Sequence, residues 1–97
     1  MSRYLLNPVA HDDLDQIYGY TLDRWDIDQA ESYVRELLRT FDRAAADPRI
    51  GRPCDEIRTG YFKLPAGSHT VYYRITTDGI PEIMHILHQR MDAERHL

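Results

Sequence analysis

The 97-residue sequence has little of what several classes of protein require. Its one cysteine, Cys54, excludes an internal disulfide and favours a reducing compartment. No apolar run is long enough for a membrane span, and none near the start is long enough for a signal peptide. These absences predict a cytoplasmic protein without membrane contact. The length predicts a single domain over residues 1–97.

The short motifs that mark many enzymes are missing as well. There is no glycine-rich phosphate loop, no His-Glu-x-x-His segment, no pair of cysteines and no nucleophile elbow. Cys54 is followed by Asp55 and Glu56, whose negative charge raises the pKa of a thiol and discourages thiolate chemistry. We therefore expect neither a cofactor nor a metal site.

Two histidines near the end of the chain also argue against a metal site. His85 and His88 are three residues apart in a β-rich run, so a regular strand points them to opposite faces and prevents joint chelation. The predicted face-sharing sets are His85 with Ile83 and Leu87, and His88 with Met84 and Ile86.

Positive charge is scarce and unevenly placed. Lys63 is the one lysine, and the net charge is −4. Residues 1–48 hold five arginines against ten acidic residues, whereas residues 49–97 hold seven basic against six acidic residues. Because phosphate contacts need a basic surface, this balance argues against direct DNA binding. The unequal halves suggest two surfaces with different roles, although acidic residues also simply solvate helices.

The first of two amphipathic segments begins at a clear capping signal. Asn7 suits the cap of a helix and Pro8 suits its first turn, and the pattern continues to about Arg24. The predicted apolar stripe of this helix consists of Ala10, Leu14, Ile17, Thr21 and Trp25.

The second amphipathic segment starts after a few residues, which predicts an antiparallel helical hairpin. Asp28 and Glu31 have the spacing of a capping box, and Asp47-Pro48 ends the helix. The residues expected in the core between this hairpin and a sheet are Leu14, Ile17, Leu37, Leu38 and Phe41.

The second half is rich in β-forming residues. Residues 4–6 predict a short first strand, and residues 57–64, 69–75 and 82–88 predict three more, with residues 49–53 as a loop. Short connections make the last three strands an antiparallel meander. The order β-α-α-β-β-β predicts an α+β fold with the hairpin packed on one face of a small, mainly antiparallel sheet.

One set of polar residues could carry catalysis. Adjacent strands could bring Arg74 close to His88, with Glu56 or Lys63 from the neighbouring run. Metal-free RNA cleavage needs such an acid, base and stabilising cation. The alternative, which we favour, is that Arg74 pairs with an acidic residue and His88 packs at the sheet edge.

Several segments occur in an order and spacing found in one known family. They include residues 4–10, Gly51-Arg52-Pro53, Gly67-Ser68-His69, Tyr73-Arg74 and residues 86–92. In these segments the chain resembles the ParE-type toxins of the RelE/ParE superfamily, over nearly its whole length. The resemblance implies the β-α-α-β-β-β fold and a ParD-type antitoxin whose disordered C-terminal segment folds onto the toxin in a hetero-oligomer.

The resemblance also implies a function. ParE-type toxins inhibit DNA gyrase by binding, so no catalytic residue is expected, whereas RelE-type relatives cut mRNA on the ribosome. The acidic composition favours gyrase, because a ribosome-associated nuclease needs a cationic surface. If the nuclease alternative held, the catalytic residues would be Glu56, Lys63, Arg74 and His88. A third possibility is a non-toxic partner in repressor assemblies. The candidate residues for contact with target or antitoxin are Arg58, Tyr61, Arg74, His88 and Arg90.

Overall fold

The computed structural model describes residues 3–97. Met1 and Ser2, the first residues of the segment for which no signal peptide is predicted, lie outside the described residues. In chain order the elements are β1 (Leu5–Leu6), α1 (Pro8–Arg24), α2 (Ile27–Ala46), β2 (Arg52–Pro53), β3 (Tyr61–Ala66), β4 (His69–Ile75), β5 (Pro81–His88) and α3 (Ala93–His96).

The two long helices start at side-chain caps. Asn7 Oδ1 accepts the Val9 N–H at 2.9 Å, with proline in the first turn as expected. Asp26, rather than the predicted Asp28, caps α2 by accepting the Gln29 N–H at 2.8 Å. Asp28 lies instead in the first turn of α2, where its charge complements the helix dipole.

The five strands form one sheet in the order β1-β5-β4-β3-β2. β1 is parallel to β5, and the other neighbours are antiparallel, so the predicted meander and α+β architecture are confirmed. The first meander strand begins at Tyr61 instead of residue 57, because residues 54–60 form hydrogen-bonded turns. The predicted loop at residues 49–53 contains the short strand β2, which pairs with β3.

The helical hairpin packs on one face of this sheet and encloses the main core. Ile17, Leu37 and Phe41 are buried there, and Leu14 and Leu38 are partly buried against them, as the sequence predicts. Trp25 was predicted on the same stripe but is 61% exposed, because it lies at the cap where α1 ends. The sheet contributes Leu64, Ala66, Val71, Tyr73, Ile83 and Ile86 to this core.

A second, smaller core covers the opposite face of the sheet. Cys54, Tyr61, Tyr72 and Leu87 are buried there, under partly buried side chains that include Leu97 at the C-terminus. The short helix α3, absent from the sequence-based prediction, helps to close this face with Ala93. Within residues 3–97, no helix combines the length and apolar content needed to cross a membrane.

An irregularity in β5 changes which side chains share a face. Tyr72 lies opposite His85 and Tyr73 opposite Ile83, so Met84 is an extra residue in the ladder. An extra residue interrupts the alternation of a strand. Ile83 and Ile86 therefore both belong to the helix-side core although they are three residues apart, and Met84 packs against the second core.

Each predicted face-sharing set for the two histidines is therefore wrong in one member: His85 shares a face with Leu87 but not with Ile83, and His88 shares a face with Ile86 but not with Met84. Ile83 and Leu87, which were both assigned to the face of His85, lie in different cores. Met84 and Ile86, both assigned to the face of His88, are likewise separated. A one-residue shift moves every following side chain to the other face, and local sequence carries no signal for it.

Candidate functional site

Arg74 is held at one end of the β4–β5 ladder. Its Nε and Nη2 donate to Glu82 Oε1 at 3.0 and 2.8 Å, and Asn7 Nδ2 donates to Glu82 Oε2 at 3.2 Å. The hydrogen bond from Arg74, followed by that from Asn7, holds the pKa of Glu82 below its usual value. Arg74 thus pairs with a carboxylate, which is the arrangement that the sequence-based alternative to catalysis described.

His88 lies at the other end of the same ladder, in a cluster of ring side chains. It pairs with His69 across the strands, and the two ring centroids are 5.3 Å apart. Tyr33 Oη from α2 lies 2.6 Å from His69 Nδ1. The backbone N–H of Arg90 donates to His88 Nδ1 at 3.1 Å, so this nitrogen acts as an acceptor.

The structure therefore does not bring Arg74 and His88 together. Arg74 is opposite Glu82, whereas His88 is opposite His69. Five positions of β4 separate His69 from Arg74, which corresponds to about 17 Å along a strand. No single phosphodiester group could contact both side chains.

The other predicted residues also divide between the two ends of the sheet. Tyr61 is the strand neighbour of Arg74, and the Arg58 guanidinium lies 5.5 Å from the centre of the Tyr61 ring. Arg90 is exposed beside His88 at the opposite end. Lys63 lies between these groups on β3, opposite Tyr72, and Glu56 is exposed in the turns before β3.

A groove between α1 and β5 lies at the His88 end. Its volume is about 480 Å³, which is within the usual range of ligand-binding cavities. Asp13 of α1 lines it and accepts the Ile86 N–H at 3.0 Å, while His85 Nδ1 lies 3.3 Å from the same carboxylate oxygen. We call this feature the α1–β5 groove; its lining residues are Asp13, Gln16, Ile17, Tyr20, His69, Ile86, Leu87, His88 and Met91.

Sequence reasoning missed most of this groove. Its walls come from residues far apart in the chain, and Asp13 and His69 were not identified as neighbours. The sequence offers one signal for the groove. Asp13 is an acidic residue one helical turn before the buried Ile17, so it lies beside the buried face of α1. That signal indicates a polar contact across the sheet edge, but the partner of Asp13 depends on tertiary structure.

Exposed apolar side chains also lie near the turn of the helical hairpin. Tyr20 lines the groove and is exposed, and Leu22, Trp25 and Ile27 follow it around the turn. The exposed fractions of these four residues lie between 39% and 61%. We call Tyr20, Leu22, Trp25 and Ile27 the hairpin tip.

One group of side chains has the spacing of metal ligands. His11, Asp12 and Asp15 on α1 bring one ligand atom each within 4.8 Å of one another, and they form the single such group in residues 3–97. All three are exposed, and His11 already lies 3.4 Å from Asp15. Exposed acidic groups on a helix commonly have this geometry without a metal, so we assign no site there.

We expect the protein to lose stability as the pH falls below 6.5, because the pKa of His69 is lowered in the fold. Burial is the largest cause and the nearby His88 the second, while Asp13 opposes them. The unfolded chain then binds a proton at His69 that the folded chain does not, so the free energy of unfolding declines with acidification. Chemical denaturation at about pH 7.5 and about pH 5.5, on either side of the usual histidine pKa, measures this change.

The matched variant is His69→Gln, which keeps a polar side chain but cannot titrate. The loss of stability between the two pH values should be smaller in this variant than in the parent. Equal losses in both proteins would contradict a role for His69.

A protein family and two individual proteins match this chain over nearly its whole length. Residues 4–93 match the family described as ParE toxin of type II toxin-antitoxin system, parDE. Toxin ParE1 of Mycobacterium tuberculosis (strain ATCC 25618 / H37Rv) is 59% identical over 96 residues, covering 99% of this chain and 98% of that protein. Toxin ParE1 of Caulobacter vibrioides is 42% identical over 98 residues, covering 100% and 99%.

A solved structure gives an independent comparison of the fold. A chain in the structure of the chromosomal ParDE TA system from P. aeruginosa superposes with a TM-score of 0.77. The match covers 91% of this chain and 96% of that one, at 20% sequence identity. At this identity the likeness concerns the fold.

Proposed function

Because the chain belongs to the ParE toxin family of type II toxin–antitoxin systems, we propose that it inhibits DNA gyrase by binding and that a ParD-type antitoxin neutralises it. The cytoplasmic location expected from the sequence is the compartment that this proposal requires. Inhibition by binding needs no bond to be broken, so the protein would not be an enzyme.

The separation of Arg74 from His88 is the observation that supports binding over catalysis. A metal-free nuclease needs its acid, base and cation at one scissile phosphate. Here Arg74 is engaged by Glu82, and His88 lies at the other end of the ladder. The predicted catalytic set is thus dispersed, which favours an inhibitor over the RelE-type alternative.

The α1–β5 groove and the hairpin tip support an antitoxin partner. Tyr20 belongs to both, and the hairpin tip adds three more exposed apolar side chains at the end of α1 and the start of α2. Amphipathic helices bind in grooves of this kind through apolar residues on one face. A disordered antitoxin segment could fold into the groove and cover the tip, which would remove Trp25 and Ile27 from water.

We expect the antitoxin to bury well over about 1,000 Å² in total, the size of a stable interface. The buried surface should include Tyr20 and Met91 in the groove and Trp25 at the tip, because these are exposed apolar side chains. A structure of the complex measures the area directly, and hydrogen exchange of α1 and β5 with and without antitoxin gives a second measure. A small contact that leaves the helical hairpin uncovered would contradict this expectation.

We expect the His88→Gln protein to inhibit gyrase supercoiling as strongly as the parent. Glutamine keeps the polarity and approximate size of the side chain but cannot transfer a proton as histidine does. If His88 were a general acid or base, its loss would slow RNA cleavage by roughly 10² to 10⁴-fold. Purified gyrase, relaxed plasmid and increasing toxin measure supercoiling, while the mRNA pool after induction measures cleavage.

The controls separate the alternatives. Added antitoxin should restore supercoiling. Antitoxin binding by the variant shows that it is folded and that the groove, which His88 lines, is intact. Codon-specific mRNA cleavage by the parent, lost in the variant, would establish the RelE-type nuclease instead. A folded parent that binds antitoxin but affects neither gyrase nor mRNA would indicate a chain without toxicity.

A further inference from the structure

An open cleft lies on the sheet face opposite the helical hairpin. Its volume is about 450 Å³, which lies within the range of small-molecule sites. The antitoxin surface proposed above does not include it. We call it the β2–β4 cleft; it is lined by Arg52, Lys63, Pro65, Thr70, Tyr72 and Gln89.

Strand register places the polar side chains of this cleft side by side. Arg52 pairs with Lys63, and Lys63 pairs with Tyr72, so the three form a row across β2, β3 and β4. Directly opposed residues in antiparallel strands have Cβ atoms about 4.5–5.5 Å apart and point to the same face. Thr70, which pairs with Pro65, belongs to the next row of the same cleft.

The cleft is lined by hydrogen-bond donors and contains no carboxylate. Arg52 and Lys63 are cations, while Thr70, Tyr72 and Gln89 each carry a hydroxyl or amide donor. Burial raises the pKa of Tyr72, so its phenol keeps its proton at neutral pH. In the part of the chain that the structure describes, neither Arg52 nor Lys63 forms an ion pair.

These two unneutralised cations lie close together in a protein whose net charge is −4. Charge of this kind attracts an anion, and arginine forms bidentate hydrogen bonds with phosphate. The ligand is expected to be small. Tight binding of a nucleic acid needs many phosphate contacts, and the lining offers two cations.

We propose that the β2–β4 cleft binds a phosphate-bearing small molecule of nucleotide size, with its phosphates between Arg52 and Lys63. The donors of Thr70, Tyr72 and Gln89 surround the remaining phosphate oxygens. The site is separate from the antitoxin surface proposed above, because it lies on the other side of the sheet from the α1–β5 groove.

Titration of the whole purified protein with ATP tests this, with inorganic phosphate and a short single-stranded RNA as parallel ligands. We expect saturable ATP binding by calorimetry, with amide shifts in NMR spectra centred on Lys63 and Thr70. Lys63→Gln and Arg52→Gln should each weaken binding about ten-fold or more, the usual effect of removing a charged hydrogen-bond partner. Arg39→Gln on α2, an exposed cation on the other side of the molecule, is the matched control and should bind like the parent.

Each possible result of these titrations bears on a different part of the proposal. Absence of saturable ATP binding at millimolar concentration, or equal affinity in all four proteins, would overturn the proposal. Phosphate binding as tight as ATP binding would overturn the nucleotide-sized ligand, and RNA displacing ATP at far lower concentration would assign the cleft to nucleic acid. Thermal unfolding checks that the variants are folded. If replacing the half-buried Lys63 disturbs β3, the Arg52→Gln variant still tests the proposal, because Arg52 is exposed. The assay contains neither gyrase nor antitoxin, so its result leaves the proposed function unaffected.

Discussion

Replacing Phe41 with alanine is expected to lower the free energy of unfolding by about 3 to 5 kcal/mol. Phe41 is fully buried between α2 and the sheet, and the Tyr4 ring packs edge-on against it at a centroid distance of 5.4 Å. The variant loses the burial of the ring and leaves a cavity that its neighbours fill only in part. With a total stability of about 5 to 15 kcal/mol, such a loss would severely weaken the fold.

Chemical denaturation of the parent and the variant measures this loss. Arg39→Ala is a control on the same helix, because its side chain is exposed and its replacement should change stability by less than about 0.5 kcal/mol. A loss below about 1 kcal/mol for Phe41→Ala would be incompatible with the packing of the hairpin described above.

The Gly67→Ala variant is expected to lose about 2 to 5 kcal/mol of stability, from two causes that add. The φ of Gly67 is +58°, a left-handed conformation that costs a residue with a Cβ about 1–2 kcal/mol. A Cβ at this position would also lie 2.6 Å from Tyr33 Cε1 and 2.8 Å from Tyr33 Oη. Overpacking of this kind costs roughly 1–3 kcal/mol, because Tyr33 is held by His69 and Ser68.

Two other glycines separate these causes. Gly60 and Gly79 have φ values of +82° and +80°, but a Cβ at either position would meet nothing within 4 Å. Their alanine variants should therefore show the backbone cost alone. Adding Tyr33→Ala to Gly67→Ala should bring the cost of the glycine substitution down to that level, as a double-mutant cycle would show. Equal costs at all three glycines would mean that Tyr33 moves aside freely.

The helices could be predicted because their signals are local. Asn7 and Pro8 define the start of α1 whatever surrounds them, and the spacing of apolar residues identifies the buried faces of both helices. The capping-box pattern predicts Asp28 as the cap of α2, two residues after the observed cap at Asp26. Both are aspartates, and the choice between them depends on where the chain reverses after α1 rather than on residue type.

The relative positions of Arg74 and His88 were partly contained in the sequence. Residues equally distant from a hairpin turn face each other. The short connection at residues 76–80 therefore implies that Arg74 pairs near Glu82. It also implies that His88 lies several residues farther from the turn than Arg74 does. The sequence predicts that these two strands are adjacent, and the structure confirms it. The extra residue at Met84 could not be derived in this way, because it depends on packing against both faces of the sheet.

The carboxylate of Asp13 has a consequence for self-association. β1 covers β5 only at Glu82 and Ile83, and beyond them Asp13 occupies the Ile86 N–H. Uncovered strand edges pair with other chains and cause aggregation, and a charged side chain at the edge prevents such pairing. The opposite edge of the sheet is shielded by β2, which is two residues long and ends in Pro53. A newly made copy of this chain is thereby protected from joining a second copy edge to edge during any interval before a partner reaches it.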